Sequence, residues 1–215
     1  MTRGDWRVYV ITAGPAHARG RTHQEIAEAA IRGGATAIQL RMKEEPARLI
    51  AETAAAIAAR CRAGGVTFLV NDRVDVAMAS AADGVHVGQD DLPARAVRAL
   101  LGPAPLLGVS AATVEEARAA SRAGADYVGV GAVYATGTKA DAGDAVGLAR
   151  IRAVAGACDL PVVGIGGITV ENAGAVIRAG AAGVAVITAV TMAGDMAEAT
   201  RRLREEVDRA RGGRN

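Results

Sequence analysis

The sequence predicts an α/β protein that folds as a single (βα)8 barrel, the TIM-barrel architecture. Short β-branched runs alternate eight times with longer segments rich in Ala, Glu and Arg, as expected for parallel strands joined by crossover helices. The 215 residues include only one Trp, one Phe and three Tyr, so we expect a core of Val, Ile, Leu and Ala without rings, which suits strands buried on both faces. Strands two to eight end in polar, charged or glycine residues, and a barrel gathers its chemistry at those ends.

The elements follow one another regularly along the chain. Strands are expected at 8–12, 37–40, 67–70, 84–87, 106–109, 127–131, 162–165 and 183–187, and helices at 22–32, 46–63, 74–79, 92–100, 114–122, 148–155, 170–178 and 193–209. A doubly wound open sheet would show the same alternation, but eight regular units with polar strand ends favour the closed barrel. No linker divides residues 1–210, which we assign to one domain, and residues 211–215 are expected to form a disordered tail.

The ends of several helices carry recognisable signals. Three helices are followed by near-copies of one phrase, at 32–35, 122–125 and 178–181, in which Arg is followed by Gly two residues later. Such a glycine supplies the left-handed conformation that ends a helix, and Arg in the last turn complements the helix dipole. Thr113 and Thr169 precede first turns that contain acids, as N-caps do. We interpret all of these residues as structural.

Composition excludes several classes of function. The net charge of +2 is spread along the helices, and neither a basic stripe nor enough aromatic residues are present for nucleic-acid binding. Cys61 and Cys158 show neither metal-site spacing nor a disulfide framework, so we expect two reduced thiols. No signal peptide is evident, and the uncharged stretch 179–194 is shorter than the roughly 20 residues of a spanning helix. We expect a cytoplasmic protein without nucleic-acid or membrane partners, with its oligomeric state left open.

Cations and acids are expected to meet at the carboxyl ends of the strands. Cations alone would suit a phosphate or carboxylate ligand, whereas cations beside paired acids suit a polyphosphate with Mg²⁺, which usually binds one or two carboxylates plus phosphate oxygens. The cations are Arg41, Lys43 and Lys139, the acids are Asp72 and Asp91, and the neutral polar groups are Asn71, Gln89 and Ser110. Each acidic cluster also has a structural interpretation, as a turn or a cap before the helix that follows it.

A second anion site is expected after strands six to eight. The loop Thr136-Gly137-Thr138-Lys139 offers amides, hydroxyls and a cation without matching the full P-loop pattern, and the alternative is an ordinary surface loop. Gly166-Gly167 and Ile187-Thr188 close strands seven and eight, where barrels commonly bind a phosphate; the alternative is that these glycines serve only a tight turn. Strand one, which ends at Thr12, lacks a clear polar end.

The sequence offers no evident nucleophile. No Cys or Ser lies beside a His as a nucleophile pair would, and His86, inside strand four, is expected to be a hydrogen-bonded wall residue. Chemistry without a nucleophile and beside a bound diphosphate suggests a displacement in which diphosphate is the leaving group.

Seven motifs in order give the chain a specific resemblance to the thiamine-phosphate synthase family. They are Gln39-Leu-Arg-Met-Lys43, Val70-Asn-Asp72, Gly84-Val-His-Val-Gly-Gln-Asp-Asp91, Gly108-Val-Ser110, Gly129-Val-Gly-Ala-Val-Tyr-Ala-Thr-Gly-Thr-Lys139, Gly164-Ile-Gly-Gly-Ile168 and Val184-Ala-Val-Ile-Thr188, and the resemblance covers about residues 7–200. It implies a TIM-barrel transferase of thiamine biosynthesis. With Mg²⁺, members of this family join a hydroxymethylpyrimidine diphosphate to a thiazole phosphate and release diphosphate.

The resemblance also implies a role for each site residue. The ligands of the pyrimidine diphosphate would be Gln39, Arg41, Lys43, Asn71, Ser110 and Lys139. Asp72 and Asp91 would bind Mg²⁺, and the thiazole phosphate would be held by Thr136, Thr138, Gly167, Ile187 and Thr188. Arg41, Lys43 and Lys139 would be catalytic, because they would stabilise the charge that grows on the departing diphosphate.

The chain departs from the family pattern at three places. Ala13 follows Thr12 where the family usually has an acid, Tyr134-Ala135 replaces the usual Phe-Pro, and Thr188 stands where Ser is typical. Three rival functions remain: the related thiazole tautomerase, a catalytically silent sensor of thiamine phosphates, and another phosphate-binding barrel enzyme such as a sugar-phosphate decarboxylase. Retention of the charged strand ends argues against the tautomerase.

Overall fold

The computed structural model describes residues 4–137 and 146–213, and its eight parallel strands close into a barrel in sequence order. The TIM-barrel prediction is therefore confirmed. The strands are β1 (Val8–Ile11), β2 (Ala37–Leu40), β3 (Thr67–Asn71), β4 (Gly84–Val87), β5 (Leu106–Ser110), β6 (Tyr127–Val130), β7 (Val162–Ile165) and β8 (Gly183–Val186). Each strand begins where the sequence predicts and ends within one residue of the predicted end.

Pairing of the first and last strands closes the barrel. β1 pairs with β2 on one side and with β8 on the other, so that Val10 lies opposite both Ile38 and Val186. Because all eight strands run in the same direction, their carboxyl ends meet on one face. This closure brings together polar residues that are far apart in the sequence.

Helices follow the strands along the chain, and most of them cover the outside of the barrel. They are α1 (His23–Arg32), α2 (Ala47–Gly64), α3 (Val74–Ala79), α4 (Ala94–Leu101), α5 (Val114–Arg122), α6 (Gly147–Ala157), α7 (Val170–Arg178), α8 (Thr188–Thr191) and α9 (Met196–Gly212), with a 3₁₀ turn at Pro15–His17. The sequence analysis missed the 3₁₀ turn and α8, because segments of three or four residues are too short to show a helical period.

The last helix differs from the prediction at both ends. It begins at Met196 because the side chain of Asp195 accepts the backbone N–H of Glu198 at 3.0 Å as an N-cap. It continues to Gly212, so the first two residues of the expected tail are helical. Arg211 anchors this turn by donating to the backbone oxygen of Ala182 at 2.7 Å. Residues 214–215 lie outside the described residues.

The predicted helix-end signals are confirmed. Gly34, Gly124 and Gly180 adopt left-handed φ angles of 87°, 86° and 111°, which end α1, α5 and α7 before the next strand. Thr113 caps α5 by accepting the backbone N–H of Glu116 at 3.1 Å. Thr169 is the N-cap of α7.

The barrel interior contradicts the expectation of a core without rings. Trp6, Tyr9 and Tyr127 are buried inside the barrel with small aliphatic residues such as Ala185. The rings of Trp6 and Tyr127 stack with centroids 3.9 Å apart. A second cluster of Val, Ile, Leu and Ala side chains packs between the strands and the helices. Composition predicted this outer layer, whereas the inner layer depends on where the few rings fall along the strands.

No helix in the ranges 4–137 and 146–213 is long and apolar enough to cross a membrane. Cys61 and Cys158 are both free thiols, as predicted, and burial raises the pKa of Cys61 to about 12. The cytoplasmic location and the lack of a nucleic-acid partner stay predictions.

Candidate active site

A cavity of about 700 Å³ opens at the carboxyl ends of the strands. Of the residues to which the family resemblance gives a role, seven line it: Lys43, Asp91, Ser110, Thr136, Gly167, Ile187 and Thr188. Four more, Gln39, Arg41, Asn71 and Asp72, lie at or just after the ends of β2 and β3, beside this cavity rather than in its lining. Thr138 and Lys139 lie outside the described residues. A smaller cavity of about 450 Å³ lies at the amino ends, near Thr67 and Asp83.

Neither acid of the predicted metal pair caps a helix. Asp72 follows β3 in a left-handed conformation with φ of 61°, and its backbone N–H donates to the backbone oxygen of His86 at 2.8 Å. The carboxylate of Asp91 accepts the N–H of Gly88 at 2.8 Å, which folds the loop after β4 back on itself. The N-caps of α3 and α4 are Arg73 and Pro93, without a side-chain cap bond. The structural interpretation of these acids as helix caps is therefore wrong.

The two carboxylates interact with each other. Burial, and then the neighbouring carboxylate of Asp91, raise the pKa of Asp72 to about 6, while Lys43 acts in the opposite direction. The ammonium of Lys43 lies 3.5 Å from the carboxylate of Asp72. Two acids and one cation thus meet at the edge of the cavity, and the acids repel each other when both are ionised.

The ends of β2 and β3 carry buried amides. Gln39 is 1% exposed and donates from Nε2 to the hydroxyl of Tyr9 at 2.6 Å. Asn71 is 6% exposed, and its Nδ2 has no hydrogen-bond partner among residues 4–137 and 146–213. A buried donor without a partner is costly in a folded protein and is a common feature of sites that bind a ligand.

Strand one has a polar end, contrary to the prediction. The fully buried hydroxyl of Thr12 accepts the backbone N–H of Arg41 at 3.1 Å and lies 2.7 Å from Nδ1 of His23. Thr12 therefore ties the residue after β2 to the start of α1. The signal in the sequence was a single hydroxyl at the end of an apolar run. Many ordinary strands end in this way, so the signal does not identify Thr12 as a functional residue.

The side of the cavity formed by the ends of β6 to β8 is built largely from backbone. Gly166 and Gly167 have φ angles of 97° and 62°, and a Cβ on Gly167 would lie 2.7 Å from the backbone oxygen of Ala135. The N–H of Tyr134 donates to the backbone oxygen of Gly166 at 3.0 Å, which holds the loop after β6 against the end of β7. These glycines are needed both for conformation and for close approach.

A chain of five buried or half-buried side chains crosses the barrel beneath the cavity. From the amide of Gln39 it passes through the hydroxyls of Tyr9 and Tyr127, which are 3.0 Å apart, to Nδ1 of His86 at 2.8 Å. Nε2 of His86 then lies 3.0 Å from the hydroxyl of Ser110. The prediction that His86 is a hydrogen-bonded wall residue is confirmed, but the two tyrosines were missed. Their inward position follows from the strand register, which the sequence does not show directly.

Known proteins are similar to this chain in sequence and in architecture. The family model described as thiamine monophosphate synthase matches residues 8–190. A thiamine-phosphate synthase of Moorella thermoacetica is 55% identical over 207 residues, covering 96% of this chain and 98% of the relative. That of Roseiflexus castenholzii is 57% identical over 196 residues, covering 91% and 86%.

A solved structure agrees with these sequence relatives. The thiamine phosphate pyrophosphorylase from Pyrococcus furiosus superposes with a TM-score of 0.87 at 38% identity, over 96% of this chain and 98% of that one. The fold, the residues at the strand ends and the sequence relatives thus all indicate the same family. The chain belongs to the thiamine monophosphate synthase family.

Proposed function

We propose that this chain is a transferase of thiamine biosynthesis that condenses 4-amino-2-methyl-5-(diphosphooxymethyl)pyrimidine with 4-methyl-5-(2-phosphooxyethyl)thiazole. The products are thiamine phosphate and diphosphate. The observation that carries the proposal is one cavity with charged side chains, including Lys43 and Asp91, on one side and a glycine-rich backbone at Gly167 on the other. Each side suits one anionic substrate, and a shared cavity lets the two substrates meet.

The charged side is suited to the diphosphate of the pyrimidine substrate. Lys43 supplies a cation at the cavity edge, and Arg41 follows directly from the same strand. The buried Nδ2 of Asn71 is a donor that a phosphate oxygen or a ring nitrogen could satisfy. Lys139, which the family resemblance assigns to the same ligand, belongs to the proposal as a further cation.

The chemistry of the acid pair fits a divalent cation. Burial and the neighbouring carboxylate of Asp91 disfavour ionisation of Asp72, and a divalent cation bound by both acids would favour it. Mg²⁺ usually binds one or two carboxylates and takes its other ligands from phosphates and water. We therefore propose that these two residues hold Mg²⁺ together with the diphosphate. When bound, the metal supplies charge stabilisation for the leaving group.

The glycine-rich side is suited to the thiazole monophosphate. The left-handed backbone at Gly166 and Gly167 allows amide groups to approach an anion where a side chain would block it. Thr136 and Thr188 line the same part of the cavity, and hydroxyls of this kind donate to phosphate oxygens. Thr188 keeps the hydroxyl that the Ser typical of the family would supply.

The reaction we propose is a dissociative displacement. The bond between the exocyclic methylene carbon and the diphosphate oxygen breaks, and the electron-rich aminopyrimidine stabilises the resulting cation. The cationic side chains Arg41, Lys43 and Lys139 stabilise the negative charge on the leaving group. The thiazole nitrogen then forms the new C–N bond with its lone pair from a prealigned position, so no proton is removed and no protein base is needed.

Diphosphate release from the two purified substrates with Mg²⁺, with and without EDTA, tests this proposal. We expect release only when both substrates and the metal are present. A thiamine-phosphate sensor would bind the compounds and release nothing, whereas a tautomerase would change the thiazole without consuming the pyrimidine. Release that continues undiminished in EDTA would contradict the metal assignment.

A further inference from the structure

The hydrogen-bond chain beneath the cavity has a direction, because the atom at its start, Nε2 of Gln39, can donate but cannot accept. The amide nitrogen Nε2 of Gln39 donates to the hydroxyl of Tyr9. The single proton of Tyr9 is then available for the hydroxyl of Tyr127 at 3.0 Å. The proton of Tyr127 is in turn available for Nδ1 of His86 at 2.8 Å. Tyr9 and Tyr127 thus each accept a hydrogen bond from the group before them in the chain and donate one to the group after them.

The direction determines the proton position on His86. When Nδ1 of His86 accepts from Tyr127, the neutral ring carries its proton on Nε2. That nitrogen lies 3.0 Å from the hydroxyl of Ser110, which therefore accepts from it. The proton of Ser110 is left to point elsewhere, and Ser110 lines the cavity.

We propose that Tyr9, Tyr127 and His86 are positioning residues that set Ser110 as a hydrogen-bond donor and the Gln39 carbonyl oxygen as an acceptor toward the pyrimidine ring. The inference rests on the proposed function, since it concerns the pyrimidine subsite. A 4-aminopyrimidine offers an unprotonated ring nitrogen beside an amino group. It thus presents an acceptor and a donor that complement Ser110 and Gln39.

The same arrangement rejects the 4-oxo analogue. In its ring-protonated form that compound offers a ring N–H beside a carbonyl oxygen, so both roles are reversed. The Ser110 hydroxyl has a second lone pair that can accept this ring N–H, but the carbonyl oxygen of the analogue would face the carbonyl oxygen of Gln39, and neither acceptor would have a donor there. We therefore expect discrimination on the order of 10²-fold in favour of the amino compound. The chain, buried at Tyr9 and Tyr127, resists reversal because all of its hydrogen bonds would have to change direction together.

The protonation state of the His86 ring tests the direction without any substrate. Nitrogen chemical shifts of ¹⁵N-histidine-labelled protein distinguish a protonated from an unprotonated ring nitrogen. The His86 signals can be assigned by their loss in His86→Gln, since the chain has three histidines. We expect the proton on Nε2. A proton on Nδ1 would mean that the chain runs the opposite way and would overturn the proposal.

Binding selectivity tests the consequence. Calorimetry would compare the dissociation constants of the monophosphate of 4-amino-5-hydroxymethyl-2-methylpyrimidine and of its 4-oxo counterpart, without the thiazole substrate, so that no reaction occurs. We expect a ratio on the order of 10² for the wild type and a ratio at least about tenfold smaller for Tyr9→Phe, which cuts the chain next to Gln39.

Trp6→Phe is the matched control, because Trp6 stacks on Tyr127 without taking part in the chain. It should change interior packing and leave the ratio unchanged. Equal ratios for the wild type and Tyr9→Phe, or a wild type without preference, would overturn the proposal. If the wild type bound neither compound, the proposed function would fail, and the His86 shifts would still decide the direction of the chain.

Discussion

Polar side chains at the two ends of the barrel differ in whether they have hydrogen-bond partners. At the amino ends, Asp83 accepts the backbone N–H of Phe68 at 2.7 Å, and Asp126 accepts that of Leu107 at 2.8 Å. At the carboxyl ends, burial and the carboxylate of Asp91 raise the pKa of Asp72, and the Nδ2 of Asn71 has no partner among residues 4–137 and 146–213.

This difference separates stability from function. Acids at the amino ends join a strand to its neighbour through backbone hydrogen bonds, so they stabilise the fold. At the carboxyl ends, two acids lie close together and the amide of Asn71 lacks an acceptor. Both features lower the stability of the fold, and both are expected where a bound ligand supplies the missing partners. Trp6 is the exception, since its buried Nε1 also lacks a partner among the described residues, and nothing in the structure explains it.

Of the changes considered, loss of the Asp72 carboxylate at the carboxyl ends of the strands should lower activity most. We expect Asp72→Asn to lower kcat by about 10²–10³, the range found when one charge-stabilising group is removed. Stability should stay the same or rise, because a repelling charge is removed and Asn tolerates the left-handed φ of 61°. Steady-state diphosphate release and thermal unfolding measure the two effects.

A nearby acid that does not belong to the acid pair provides the control. Asp75 is exposed, lies three residues further along in the first turn of α3, and pairs with Arg73 at 2.5 Å. Asp75→Asn should leave kcat unchanged. An equal loss of activity in both variants would mean that Asp72 acts through general charge rather than through the site.

Loss of an acid at the amino ends of the strands should lower stability and leave activity unchanged. Asp126 pairs with Arg98 at 2.7 Å, and their side chains are 12% and 18% exposed. We expect Asp126→Asn to destabilise the fold by about 2–3 kcal/mol, somewhat less than the cost of breaking a fully buried pair. The kcat per folded molecule should be unchanged. A loss of kcat in fully folded Asp126→Asn would contradict the claim that acids at the amino ends serve stability and not activity.

A methyl group at Gly167 should disturb the backbone-built side of the cavity. The left-handed φ and the 2.7 Å approach to the Ala135 oxygen make Gly167→Ala unfavourable by about 1–3 kcal/mol. We expect the KM for the thiazole phosphate to rise about tenfold and the KM for the pyrimidine diphosphate to change less. Gly156→Ala is the control, because open space surrounds its position. Equal changes in both KM values for Gly167→Ala would contradict the division of the cavity.

The smallest effect concerns the pH dependence of stability through His23. Burial lowers its pKa below the usual 6.5, and Glu45 acts in the opposite direction. A histidine with a lowered folded-state pKa contributes its full stability above pH 6.5, and this contribution is lost as the pH falls. Denaturant unfolding between pH 7.5 and 5 (about this window) should therefore show a shallower decline for His23→Gln than for the wild type. Parallel curves would show that protonation of His23 does not affect folding.

Much of the fold could be predicted from the sequence, because strand and helix periods are local signals. The strand starts and the glycines at 34, 124 and 180 follow from such patterns. The grouping of Lys43, Asp91 and Thr188 followed from the rule that parallel strands end on one face. The link from Thr12 to Arg41 and the tyrosine chain could not be predicted, since they depend on side-chain directions and on register between distant strands.

The most direct test of the account compares turnover per folded molecule for Asp72→Asn and Asp126→Asn in one experiment. Thiamine phosphate formation would be measured with both substrates at saturation, after the folded fraction of each variant is determined. We expect a loss of about 10²–10³ for Asp72→Asn and wild-type turnover for Asp126→Asn. Wild-type turnover in Asp72→Asn would contradict the claim that the carboxyl ends of the strands hold the reacting diphosphate.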